Sequence, residues 1–243
     1  KWNTPGTAAN DTVRPLHFVP QIYCRSFAGS QDQHDRFFRA LAKTPKYITI
    51  YTTGNGVWSV PNDGDFNTPA TPLEREVAWW WNYPCNDNAD GQSYPSDMYY
   101  NFFEMPAVGN NSTLPNNLSR GQGIVSNPMQ QGEVSKTPLF SVADYAWNHS
   151  GFNNKTSWEA SFAAVLPGNE AQKAYKFLVP YLRWNNADEL ITLINAYKQN
   201  NDGAALQTLM QNIMANADVL IKMKDATAEN ERLLYKDLAP WLL

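Results

Sequence analysis

The sequence predicts an α/β fold: the C-terminal part of a (β/α)8 TIM barrel, residues 1–150, followed by an α-helical bundle domain, residues 151–243. Three observations predict it. Short apolar runs alternate with helical periodicity through the first half, the runs end in polar or aromatic residues, and from Pro128 onward the periodicity is wholly helical. A complete barrel has eight strands in roughly 250 residues. Here four strand-like runs precede the helices, so the count fits half a barrel and the expectation is that the N-terminal half lies upstream of Lys1.

The elements follow in order. Leu16-His17-Phe18-Val19 is a short apolar run, and Asp32 to Lys43 carries Phe37, Phe38 and Leu41 at helical spacing. Tyr47 to Tyr51 is β-branched and aromatic, the composition of a strand. Gly54, Gly56, Pro61, Gly64 and Pro69 punctuate what reads as a loop, with a short helix expected over Leu73–Ala78 and a third strand over Val77–Trp81. Residues 85–120 form a long polar connection that ends at the run Ile124-Val125-Ser126. Thr156 with Glu159, and Asn186 with Glu189, have the spacing of capping boxes that open helices. Leu206, Leu209, Met210, Ile213, Met214, Ala217, Leu220 and Ile221 are spaced three and four apart, and this stripe is read as core.

Bulk properties exclude several classes. The chain has 243 residues and a formal charge of −4, with no Lys/Arg run, which argues against a nucleic-acid surface. No apolar stretch approaches the roughly 18 residues of a membrane span. His17, His34 and His149 are isolated and the two cysteines, Cys24 and Cys85, are not spaced as ligands, so neither a metal nor another cofactor is expected. Two unpaired thiols are the simpler reading of the cysteines, with one disulfide left open. Nine Trp and 13% aromatics stand against only 17% charged residues, a composition frequent among carbohydrate-active chains.

Trp79-Trp80-Trp81-Asn82-Tyr83-Pro84, followed by Asp87, carries the most chemistry. Consecutive strand residues face opposite ways, so the three indoles must serve different layers. An indole wall beside an amide and a carboxylate suits a pyranose, whose C–H face stacks on the ring while its hydroxyls need paired donors and acceptors. A buried strand whose tryptophans pack under helices explains the same residues.

Four strand ends taken together narrow the choice: Pro20-Gln21-Ile22-Tyr23, Thr52-Thr53-Gly54-Asn55-Gly56-Val57, Trp80 to Pro84 with Asp87, and Ser126-Asn127-Pro128-Met129. With Glu133-Val134-Ser135-Lys136 and Ser141 to Asn148 they strongly resemble glycoside hydrolase family 84, which holds bacterial β-N-acetylglucosaminidases, enzymes described as hyaluronidases, and O-GlcNAcases. The resemblance covers roughly residues 14–165. It implies a barrel followed by a helical bundle, and retaining hydrolysis of terminal β-linked N-acetylglucosamine with the substrate's acetamido oxygen as nucleophile. This is a substrate-assisted exception to the usual two-carboxylate scheme. It also implies that Tyr23 sits beside the acetamide, that Thr53, Val57 and Trp80 line the acetamido pocket, and that Asn82, Asp87 and Asn127 bind polar groups of the sugar.

The family's two adjacent catalytic aspartates have no counterpart, since no Asp-Asp pair occurs in the sequence. In the family they precede the Tyr23 motif, so the chain is expected to supply substrate-binding residues but no catalytic acid, and to be inactive alone. Gln21-Ile22 stand where the family has Thr-Glu, so a carboxylate that would support Tyr23 is absent. The expected partners are an N-acetylglucosamine-containing glycan and the N-terminal half of the barrel. The expected location is extracellular or on a bacterial cell surface. A non-catalytic carbohydrate-binding or scaffold fragment is the alternative.

Overall fold

The computed structural model describes residues 16–57, 59–84, 118–166, 168–181 and 188–243. It is a mixed α/β structure with a parallel four-stranded sheet, in the order β1-β2-β3-β4, and many helices. The chain divides into two compact units: residues 1–81 with 118–125, and residues 82–117 with 126–243.

The first unit is built on β1 (Leu16–Phe18), β2 (Ile48–Thr52), β3 (Ala78–Trp81) and β4 (Ile124–Ser126), whose last residue passes into the second unit. β1 pairs in parallel with β2 through Leu16 and Ile48, and β2 with β3 through Tyr51 and Ala78. The Gln122 amide donates to Val77 O and the Trp79 amide to Gly123 O, at 2.9 and 2.8 Å, which fixes the return of the chain beside β3. β1 forms one edge of the sheet, and Leu16, Phe18 and Val19 are exposed there.

Between the strands run α1 (Gln31–Leu41) and α2 (Asp63–Leu73). Ser30 caps α1 by accepting from the Gln33 amide, and α1 buries His34 and Phe38. α2 corrects the sequence reading, which has a loop through Pro69 and a helix over Leu73–Ala78. The helix instead starts ten residues earlier, because Asn62 Oδ1 accepts from the Asp65 amide at 2.9 Å and Asp63 and Asp65 place negative charge in its first turn. It ends at Glu74, whose φ of 57° lies in the left-handed region, so Val77 is free to enter β3. Pro69, taken as loop punctuation, is buried inside the helix.

The second unit is helical: α3 (Gly132–Trp147), α4 (Asn154–Val165), α5 (Asn169–Leu178), α6 (Asp188–Asn200), α7 (Ala204–Ile221) and α8 (Glu229–Leu242). Serines let α3 and α4 approach closely: Ser141 and Ser157 are buried with their hydroxyls 3.1 Å apart. Around them Trp158, Phe162 and Tyr175 stack edge to face, with centroids 4.6 and 5.6 Å apart. Three sequence expectations change or lapse here. Asn153, not Thr156, caps α4, accepting from the Thr156 amide at 2.9 Å. Asn186 lies outside the described residues. The α7 stripe is helical as predicted, but only Leu209 and Leu220 are buried in it, while Met210 and Met214 are 44% and 64% exposed.

Candidate functional site

In the first unit Tyr23 and Thr53 are brought together by backbone. Beyond β2 the ladder continues, with the Thr53 amide donating to Tyr23 O at 2.8 Å, Arg25 N to Gly54 O at 2.9 Å and Ser26 N to Asn55 O at 3.0 Å. The Thr52 hydroxyl clamps the same point, donating to Tyr23 O at 2.9 Å and accepting from the Gly54 amide at 3.0 Å. Tyr23's ring packs edge to face on Phe27 with centroids 4.9 Å apart. Its placement thus comes from the Thr52–Gly54 segment and an aromatic neighbour.

The loop from Thr53 to Val57 is pinned from within. Thr53 is 1% exposed and its hydroxyl donates to Gly56 O at 2.8 Å, while the Gly56 amide donates to Ser59 Oγ at 2.8 Å. Asp65 on α2 holds the middle of the loop, its Oδ2 accepting from the Asn55 amide and from Asn62 Nδ2, each at 3.1 Å. Val57 is half-buried at the end of this loop. Sequence reasoning missed Asp65 and Ser59 as shapers of the loop. The signal for Asp65 was present, because Asn62 and Asp65 have cap spacing, but it was hidden under the Gly and Pro punctuation.

The three indoles separate as alternation requires. Thr52 pairs with Trp79, and Trp79 is fully buried with its ring 5.0 Å from Phe66 of α2. Tyr51 pairs with Ala78, so Thr53 and Trp80, each two residues further on, share the face opposite α2. Trp80 is half-buried there, and Trp81 is buried on the Trp79 side. The middle indole is therefore the one that shares a face with Thr53, and the outer two serve packing.

In the second unit Asn127 Nδ2 donates to Asn82 Oδ1 at 3.0 Å, with both side chains half-buried. This joins two of the predicted sugar-binding residues across 45 positions of sequence. Asp87 and Cys85 lie outside the described residues, and Cys24 is a buried free thiol whose Sγ is 3.1 Å from Ser26 Oγ.

The family model for β-N-acetylglucosaminidase matches residues 3–179. The chain belongs to glycoside hydrolase family 84, the β-N-acetylglucosaminidase family. Solved structures agree in fold. CpGH84D superposes with a TM-score of 0.69 at 21% identity over 95% of this chain and 38% of its own. An O-GlcNAc hydrolase of Thermobaculum terrenum, solved as a point mutant, gives 0.65 at 20% identity over 93% of this chain and 47% of its own. CpGH84B gives 0.66 at 21% identity over 96% and 41%. The chain thus spans less than half the length of each of these structures.

Membership sharpens the chemistry available to the described residues. In the first unit the half-buried Trp80 offers an indole face, the surface type that the C–H face of a pyranose stacks on, and in the second unit the Asn82–Asn127 pair offers amide donors and acceptors. No three His, Cys, Asp or Glu side chains gather among the described residues as metal ligands would, and no described helix is long and apolar enough to cross a membrane.

Proposed function

We propose that this chain supplies the substrate-binding part of a retaining exo-β-N-acetylglucosaminidase. In this reading residues 1–150 are the C-terminal half of a (β/α)8 barrel, residues 151–243 its helical domain, and an N-terminal barrel half carries the catalytic Asp pair. What carries the proposal is the series of strand ends at Tyr23, Thr53 to Val57, Trp80 to Asn82 and Asn127, which follows family order within the segment that the family model matches. Among the described residues β1 is an edge strand, with Leu16, Phe18 and Val19 exposed, which supports a further strand beside it.

In the reaction the acetamido oxygen of the bound sugar attacks its own anomeric carbon and expels the aglycone, and water then opens the resulting ring. The upstream aspartates orient the acetamide and move the proton. Tyr23, Thr53, Val57 and Trp80 hold the acetamido group so that its oxygen reaches the anomeric carbon, a positional contribution rather than an acid–base one. Asn82, Asp87 and Asn127 bind the sugar's polar groups.

The test is hydrolysis of an aryl β-N-acetylglucosaminide by the 243-residue chain alone and together with the upstream segment. No turnover alone, with activity restored by the segment, is the expected result. Turnover by the chain alone would place the acids within it and overturn the division of labour. No activity in either case would favour a carbohydrate-binding or scaffold role, a reading that the lack of an Asp-Asp pair in this sequence otherwise supports.

A further inference from the structure

α3 begins five residues after Asn127, and its first turn is held from a distant part of the chain. The first amides of a helix have no partner within it. Gln131, the residue at the cap position, makes no side-chain cap bond. Instead Asp237 of α8 accepts from the Glu133 amide at 2.7 Å and from the Val134 amide at 3.3 Å. A carboxylate here satisfies two orphan donors and places negative charge at the positive end of the helix dipole.

The segment between Asn127 and α3 is fastened to that same turn. Ser135 Oγ lies 2.8 Å from Gln131 O, to which it donates, and 3.4 Å from Met129 O. Met129 is buried, and Pro128 restricts the backbone beside Asn127. Asp237 cannot drift, because Leu234 and Leu238 on either side of it along α8 are fully buried.

We infer that Asp237 is a positioning residue for Asn127: by capping α3 it fixes the segment 128–131 and so the carboxamide that bonds Asn82. The inference rests on the reading of Asn127 as a sugar-binding residue. It gives the helical part of the chain a role in substrate binding through a single carboxylate, Asp237, that touches no sugar.

The experiment is a double-mutant cycle in the full-length protein that carries this chain, reading Kd for N-acetylglucosamine and KM and kcat for an aryl β-N-acetylglucosaminide. Asp237→Ala is expected to raise Kd and KM roughly three- to tenfold with a smaller change in kcat, as a misplaced binding group would. Asp237→Asn, which keeps an acceptor for the α3 amides, should recover most of the loss. In an Asn127→Ala background Asp237→Ala should add nothing further. Full additivity, or unchanged Kd and KM in a folded Asp237→Ala protein, would overturn the inference while leaving the sugar site intact. An unchanged Kd in Asn127→Ala alone would overturn the sugar-site reading and this inference with it. Should Asp237→Ala not fold, the same cycle with Asp237→Glu, which shifts the accepting oxygen by one methylene, decides, since a plain stability role leaves the Kd of the folded protein unmoved.

Discussion

Gly54 marks the point where the loop carrying Thr53 and Val57 turns against the core. Its φ is 81°, and an added Cβ would run into the Trp79 ring and lie 2.6 Å from Asp65 Oδ2. Backbone strain and steric overlap act together, so Gly54→Ala is expected to cost about 2–4 kcal/mol in urea unfolding, above the usual range for a surface change. A cost within about 0.5 kcal/mol would mean that the loop moves freely off Trp79. His34 carries a pH prediction. Burial lowers its pKa from 6.5, with the neighbouring Asp35 opposing and Arg25 assisting more weakly. The folded state therefore binds fewer protons than the unfolded one below that value, so His34's contribution is complete above pH 6.5 and is lost as pH falls towards the folded pKa. His34→Gln should flatten the fall in stability as pH drops from about 7 to about 5. An unaltered slope in denaturant titrations would assign the acid sensitivity elsewhere.

Helix ends separate what periodicity reveals from what it conceals. The Thr156/Glu159 spacing located α4, but the side chain that caps it is Asn153. Asn153→Ala should lose about 1 kcal/mol, and Thr156→Ala, whose side chain is exposed, should stay within about 0.5 kcal/mol in thermal unfolding. The reverse order would restore the capping box. α7 shows the other limit. Three-and-four spacing reports that a helix has an apolar stripe, yet burial depends on how much of the stripe its neighbours cover. Leu209→Ala and Leu220→Ala should cost about 2–5 kcal/mol, whereas Met214→Lys should lie within about 0.5 kcal/mol, although all three belong to one stripe. α2 was illegible for a different reason. Gly64 and Pro69 read as breakers, while the strong cap from Asn62 and the acidic first turn outweighed them. The strands were legible because Ile48 to Thr52 and Ala78 to Trp81 concentrate β-branched and aromatic residues at the length of a buried strand.

At the scale of the whole molecule, the residues of the candidate site were legible as a series of strand ends, whereas the contacts that place them were not. Tyr23 depends on Thr52, the 53–57 loop on Asp65, and α3 on Asp237, and none of these three partners stands out in the sequence as a site residue. The same holds for closure of the first unit, which residues 118–125 complete. That return is fastened by Asp63 and Glu76. Asp63 accepts from the Ser119 and Arg120 amides at 3.0 and 3.1 Å and from Ser119 Oγ at 2.7 Å, and Glu76 accepts from the Gly121 amide at 3.0 Å while pairing with Arg120 at 3.1 Å. The Ser119 side-chain bond, followed by its amide and that of Arg120, holds the Asp63 carboxyl below its ordinary 3.8, so the fastening is present above that pH and fails as pH falls through the lowered value. Asp63→Ala should remove it at neutral pH. The consequence is expected one step away, at the β3–β4 contact, where the Trp79 and Gln122 amides donate to Gly123 O and Val77 O. Hydrogen exchange at those two amides should be faster in Asp63→Ala, while the Thr53 amide, held by Tyr23 O on the other side of the unit, should keep its protection. Equal acceleration at all three would mean that the unit opens as one body, and no acceleration at any would mean that β4 is held by the sheet without help from Asp63.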